Sequence, residues 1–147
     1  KNKGILAEYS KSNPFDGRDY WIFRDRSGYL RMPEGSNVLK EAVREMLESV
    51  RVLKKETGWD RAEVYIPHQA NGRIIAGIEA RISEEGAIVF KNIESYGNMS
   101  SATCAIALDE ALREGVIKKG IDGTVGSRVI ITSFGSGLVT SAVAIQF

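Results

Sequence analysis

Val64-Tyr65-Ile66-Pro67-His68-Gln69-Ala70-Asn71 takes the only histidine of the 147-residue chain to the end of a short apolar run. The run reads as a strand, and a strand of this kind points an imidazole out of the top of a sheet. A helix beginning near Gln69 would set unsatisfied N–H groups beside that ring. A single histidine is more often a satisfied structural residue, so position alone does not make it catalytic.

The flanking sequence supplies the rest of the architecture. Before the strand, Asn37 to Lys55 has helical period, with Leu39, Ala42, Val43, Met46, Val50 and Leu53 recurring at steps of three and four. Ser36 or Asn37 is the expected cap, Glu41, Arg44 and Glu45 the polar side, and Thr57-Gly58 the stop. After the strand, a second helix is expected from about Gln69 to Arg81, with Ile74, Ile75, Ile78 and Ile82 on one side. Ala87 to Phe90 reads as a short buried strand and Tyr96-Gly97-Asn98 as a turn. A third helix should run from Ser100 to Glu114, with Ala102, Ala105 and Ala107 allowing close packing, and end at Gly115. Arg128 to Ser133 and Leu138 to Phe147 form two strands around Phe134-Gly135-Ser136-Gly137, a closing hairpin. At the other end, Gly4 to Tyr9 is a short strand. Ser10 to Pro33 is a long loop or excursion around a possible hairpin, Tyr20 to Phe23 with Gly28 to Leu30. Strands alternating with helices define an α/β layer structure.

Composition narrows the function classes. Twenty basic and 19 acidic residues leave a net charge of +1, which argues against a large nonspecific nucleic-acid surface. A hydrophobic share of 43% is that of a globular domain. No apolar run approaches a membrane span, and the first residues lack the apolar core of a signal peptide. Cys104 is the one cysteine, so neither an intrachain disulfide nor a multi-cysteine metal site can form. A reducing, cytoplasmic setting fits this composition. Lys1 in first position suggests a fragment or a processed product.

Three loops that follow strands carry the residues with chemistry: His68 with Asn71, then Asn98, then Gly135-Ser136-Gly137. If the three strands are parallel neighbours, the loops converge outside their carboxyl ends, where ligands gather in open α/β sheets. Imidazole exchanges protons near neutral pH. The Asn98 amide can donate to a carbonyl or a developing oxyanion, and backbone N–H groups in a glycine turn can approach a substrate closely. This is an electrostatic set for acyl chemistry without a nucleophile. Cys104 does not fill that role, because it falls several residues inside the third helix, where a small thiol is a packing residue.

His68-Gln69-Ala70-Asn71-Gly72-Arg73-Ile74, followed thirty positions on by Tyr96-Gly97-Asn98-Met99-Ser100-Ser101-Ala102, resembles the C-terminal half of β-ketoacyl-acyl carrier protein synthase III. Phe134-Gly135-Ser136-Gly137-Leu138 is similar to that family's closing glycine turn, and Leu108-Asp109-Glu110-Ala111 to its helix after the asparagine loop. The resemblance covers about Gly35 to Phe147. It implies a thiolase-like α/β fold of two similar halves, a mixed sheet flanked by helices. Residues 1–34 would then be a partial strand and excursion leading into the C-terminal half, residues 35–147.

By the same resemblance, His68 and Asn98 match the histidine and asparagine that assist decarboxylation of a malonyl-carrier thioester. The Ser136 backbone amide matches the oxyanion-hole contribution. Asn71, Arg73, Gly35 and Ser36 match positions near the coenzyme A and carrier-protein entrance. The implied function is decarboxylative Claisen condensation of an acyl primer with malonyl-acyl carrier protein, an acyltransferase activity of fatty-acid or polyketide synthesis. No cofactor or metal is implied. The nucleophilic cysteine would lie outside this chain, on an N-terminal half or companion subunit, within a dimeric assembly. Departures are Leu39 where the family often has phenylalanine, Ser136 in place of a frequent glycine, and an excursion over Ser10 to Pro33 longer than the usual connection. The alternative is a noncatalytic half that docks acyl carrier protein or a catalytic paralogue. A scaffold, however, needs none of His68, Asn98 and the glycine turn for packing.

Overall fold

The computed structural model describes residues 3–13, 23–31, 35–82, 86–121 and 124–147. In chain order the elements are β1 (Gly4–Ser12), β2 (Phe23–Arg24), β3 (Leu30–Arg31), α1 (Gly35–Thr57), β4 (Val64–Pro67), α2 (Gly72–Glu79) and β5 (Ile88–Val89). There follow α3 (Ile93–Tyr96), a 3₁₀ turn over Ser100–Ala102, α4 (Thr103–Arg113), β6 (Arg128–Gly135) and β7 (Val139–Gln146). Five strands form one mixed sheet in the order β1-β7-β6-β4-β5, and β2 with β3 makes a separate hairpin. Pairing is parallel between β5 and β4 and between β4 and β6, then antiparallel through β7 to β1. β6 runs parallel to β4, so the chain must return to the sheet's other end between them. Residues 90–127 make that crossover and contain α4.

Side-chain alternation on β4 separates two apolar layers. Tyr65 points to one face, with Val50, Leu53, Ile75 and Ile130, where α1 and α2 pack. Val64 and Ile66 point to the other, with Val129, Ala107, Ala111 and Ile117 of the α4 layer. Ala42, Val43 and Met46 of α1 meet Ile74 and Ile78 of α2 in a third cluster. The helices therefore flank the sheet as the sequence pattern indicates, and α1 buries most of its expected stripe, although Leu39 stays half-exposed while Val38 is buried.

Some expectations needed correction. Glu45 is 2% exposed rather than on a solvated side. It lies between Ala42 and Ser49 on the helix surface, both buried, and its carboxylate is paired with Lys11 of β1 and Arg44, each at 2.9 Å. Ser36 and Asn37 fall inside α1, which begins earlier, at Gly35. β1 extends past Tyr9 to Ser12, because residues 4–12 pair with β7 down its whole length. The expected Ala87 to Phe90 strand shortens to two residues, with Ile88 exposed at the sheet edge. Of the alanines in the third helix, Ala107 is buried while Ala102 and Ala105 are exposed. The hairpin is present, with its strands at Phe23–Arg24 and Leu30–Arg31. The Tyr20 to Ile22 part of that expectation lies outside the described residues.

Two glycines in the connection before β6 are packed backbone to backbone. A Cβ on Gly126 would stand 2.4 Å from the Lys118 carbonyl oxygen and 2.5 Å from the Phe147 carbonyl oxygen. Gly126→Ala should therefore cost about 1–3 kcal/mol of stability, as overpacking does. Gly72→Ala, with open space around its Cβ, should change stability by less than about 0.5 kcal/mol. Urea unfolding of the two variants checks the contrast, and equal midpoints would contradict the packing described.

Candidate active site

The carboxyl ends of β5, β4 and β6 lie side by side, and each leads into one of the three loops that carry candidate residues. His68 follows the last residue of β4, and its backbone N–H donates to the Thr132 carbonyl of β6 at 2.8 Å. Thr132 is itself fixed from α1, its hydroxyl 2.7 Å from that of Ser49. The imidazole edge meets the Phe134 ring, 5.6 Å between centroids and 70° between planes. Its Nδ1 is hydrogen-bonded to the Thr103 hydroxyl at the start of α4. The ring is thus gripped by β6 on one side and by the segment after Asn98 on the other. Burial pushes its pKa below the ordinary imidazole value, so the ring is neutral at neutral pH.

The helix after His68 does not begin near Gln69. It starts at Gly72, and Asn71 caps it, the side-chain oxygen accepting from the Arg73 N–H at 2.8 Å. Gln69 instead turns inward and is fully buried. Its Nε2 donates to the carbonyls of Pro67 at 2.7 Å and Phe90 at 3.2 Å, and its Oε1 accepts from the Asn92 N–H at 3.1 Å. One amide therefore ties the end of β4 to the chain leaving β5. The Asn92 side chain then donates to Glu110 of α4 at 2.7 Å, and Tyr96 donates to the same carboxylate at 3.2 Å. The adjacent His68 draws attention away from Gln69 in the sequence, and only the burial of a glutamine between two strand ends reveals its job.

Asn98 sits in an exposed turn reached through α3, a short helix that the turn-forming sequence concealed. Gly97 closes α3 with φ +68°, and Ser100 takes the left-handed conformation at φ +56°. The Asn98 Oδ1 accepts from the Ser100 N–H at 2.9 Å, which turns the Nδ2 donor away from its own backbone. A non-glycine residue in this region costs on the order of 1 kcal/mol or more, and such strain gathers at functional turns. Ser136 is exposed in the β6–β7 turn. Cys104 is half-buried in α4, and burial pushes its thiol pKa up. That shift favours the protonated thiol, which fits the packing role expected from its helical position.

Arg73 is exposed in the first turn of α2, and Gly35 and Ser36 are exposed at the start of α1. Leu39, Ala70 and Phe134 pack on one cluster, so the first turns of α1 lie beside the β6 end. A well-formed concavity lies elsewhere. An open groove of about 650 Å³ runs over the outer surface of α1 and is lined by Lys11, Lys40, Arg44, Arg51 and Arg81 around Glu45 and Glu48. Lys11 and Arg44 are paired with Glu45 and Arg51 with Glu48, and five cations against two carboxylates leave the groove net positive. No group of three or more His, Cys, Asp or Glu residues capable of holding a metal occurs among the described residues. There, no helix is long and apolar enough to cross a membrane.

Taken together, the fold is one half of a thiolase-like α/β architecture, a mixed sheet flanked by helices. The family model for the 3-oxoacyl-[acyl-carrier-protein (ACP)] synthase III C terminal matches residues 54–147, and the chain belongs to that family. The chain is 39% identical to the beta-ketoacyl-[acyl-carrier-protein] synthase III of Aquifex aeolicus over 128 residues, covering 86% of this chain and 39% of that protein. It is 43% identical over 115 residues to the protein of the same name from Clostridioides difficile, covering 77% of this chain and 33% of that protein. The crystal structure of the Aquifex aeolicus enzyme superposes on all of this chain with a TM-score of 0.84 at 34% identity, and 46% of that structure is matched. The chain therefore spans less than half the length of these relatives.

The Gln69 clasp is testable by itself. Gln69→Leu keeps the bulk but leaves the buried Phe90 carbonyl and Asn92 N–H without their partner, at about 1–3 kcal/mol for each unsatisfied group. Unfolding in urea should show a loss in that range, with weakened hydrogen-exchange protection at Asn92. Unchanged stability would mean that the clasp does not join the two strand ends.

Proposed function

We propose that this chain provides the decarboxylating, enolate-stabilising half of a β-ketoacyl-acyl carrier protein synthase III-like site. The observation that supports the reading is that the strands leading to His68, Asn98 and Ser136 are neighbours, parallel, and end at the same edge of the sheet. In this reading a malonyl thioester loses its carboxylate as CO₂, and the electron pair of the broken C–C bond moves into the C2–C1 enolate. His68 through Nε2–H and Asn98 through Nδ2–H donate to the thioester oxygen as its negative charge grows. The C2 carbon then attacks an acyl group carried on a cysteine of an N-terminal half or companion subunit. The Ser136 N–H supports the resulting oxyanion, and collapse expels the cysteine thiolate and leaves a 3-oxoacyl thioester.

Three features support these assignments. A neutral imidazole, favoured by the burial of His68, keeps one ring N–H to donate and one ring nitrogen to accept. The strained Ser100 turn orients the Asn98 amide. The cationic groove over α1 suits an acidic carrier protein or a phosphopantetheine phosphate, with Arg73, Asn71, Gly35 and Ser36 toward the entrance. Residues 35–147 are the C-terminal half in this reading and residues 1–34 the segment leading into it, which contributes β1 to the same sheet. The assembly would be dimeric and cytoplasmic.

The test uses the chain together with the cysteine-bearing part. His68→Ala and Asn98→Ala should each slow malonyl-thioester decarboxylation by about 10²–10³-fold, with acylation of the cysteine retained. Decarboxylation unaffected by both substitutions would favour a docking scaffold, and equal loss of both steps would assign His68 to activation of the thiol.

A further inference from the structure

His68 has two ring nitrogens, and a neutral imidazole carries a proton on only one of them. Donation from Nε2 therefore requires that Nδ1 be an acceptor. The group facing Nδ1 is the Thr103 hydroxyl. Thr103 is fully buried at the joint between the 3₁₀ turn and α4. Its own N–H is already spent on the Ser100 carbonyl. A helical threonine commonly returns its hydroxyl to the carbonyl four residues earlier. Among the described residues Thr103 makes no such bond.

The hydroxyl has one proton and two neighbours that could take it, the His68 Nδ1 and the Cys104 thiol. A neutral thiol sulfur is a weak acceptor, whereas the imidazole lone pair is a strong one. The proton is therefore directed to Nδ1. The threonine Cβ branching restricts the side chain to few rotamers, so the hydroxyl is held in place before any substrate arrives. Phe134 restrains the ring from the other side.

We propose that Thr103 is a positioning residue for His68, its hydroxyl donating to Nδ1 and so fixing the ring as the Nε2–H tautomer aimed at the substrate oxygen. This rests on the reading of His68 as a hydrogen-bond donor in decarboxylation. Thr103 touches no substrate and acts only through the histidine. Thr103 lies five residues beyond Asn98, so the segment that runs from Asn98 through the 3₁₀ turn into α4 carries one member of the donor pair and the anchor of the other.

The tautomer can be read directly. In the assembled enzyme labelled with ¹⁵N-histidine, the His68 resonances are assigned by their loss in His68→Asn. Two-bond ¹H–¹⁵N correlations should show Nε2 protonated and Nδ1 bare at neutral pH. A proton on Nδ1 would overturn the proposal without any variant of Thr103. Thr103→Val, which keeps the shape and removes the hydroxyl, should give a mixture of tautomers. It should also lower kcat for decarboxylation about tenfold, the rate equivalent of one lost hydrogen bond, with KM for the malonyl thioester unchanged. Thr103→Ser should retain the Nε2–H form and most of the rate. Should Thr103→Val fold poorly, Thr103→Ser and the wild-type spectrum still decide the matter. An unchanged tautomer and rate in Thr103→Val would contradict the positioning role. A decarboxylation rate insensitive to His68→Ala would instead contradict the donor reading, and the spectrum would report on Thr103 independently.

Discussion

Parallel pairing on both edges of β4 is the constraint from which the site follows. A strand of four buried residues cannot leave backbone groups unpaired in the interior. It is satisfied by β5 on one side and β6 on the other, both running in its own direction. Parallel strands end at the same edge of a sheet, and each must pass into a loop there. His68, the path to Asn98 and the Ser136 turn are those three exits. The candidate residues lie toward one edge because the three strands run in a common direction.

Short strands hold such an edge poorly, and polar groups buried behind it complete the work. β5 contributes two residues to the sheet, and the Gln69 amide extends the connection beyond them to Phe90 and Asn92. From there Glu110 links the same segment to α4. On the opposite side, Ser49 binds Thr132, whose carbonyl receives the His68 N–H. The His68 end and the chain leaving β5 are thereby each tied to a helix, one on either face. Buried networks of this kind are costly when incomplete and rigid when satisfied. Precise placement of donors needs that rigidity.

Much of this could be read from the residues in order. The helical stripe of α1, the β4 strand, the β6–β7 hairpin and the glycine stops at Gly58 and Gly115 follow from periodicity and backbone freedom, which are local properties. The parallel order of the three strands was a condition in the sequence and became a fact only through the long crossover. What stayed hidden depends on contacts between distant segments. Glu45 reads as a surface residue until Lys11 of β1 arrives to pair with it. Gln69 reads as a helix start until burial gives its amide three backbone partners. Thr103, thirty-five residues from His68, carries no local signal of its relation to the ring. Family resemblance proposes the His68–Asn98 pair, whereas nothing local proposes Gln69 or Thr103 as their neighbours.

The central claim is that His68, Asn98 and the Ser136 amide face one ligand. It is tested most directly by titrating the assembled enzyme with a malonyl thioester analogue that cannot decarboxylate, while following the ¹⁵N resonances of the His68 ring, the Asn98 side-chain amide and the Ser136 backbone amide. The expected result is that all three shift together along one saturation curve. Separate curves, or shifts confined to the cationic groove over α1, would contradict it.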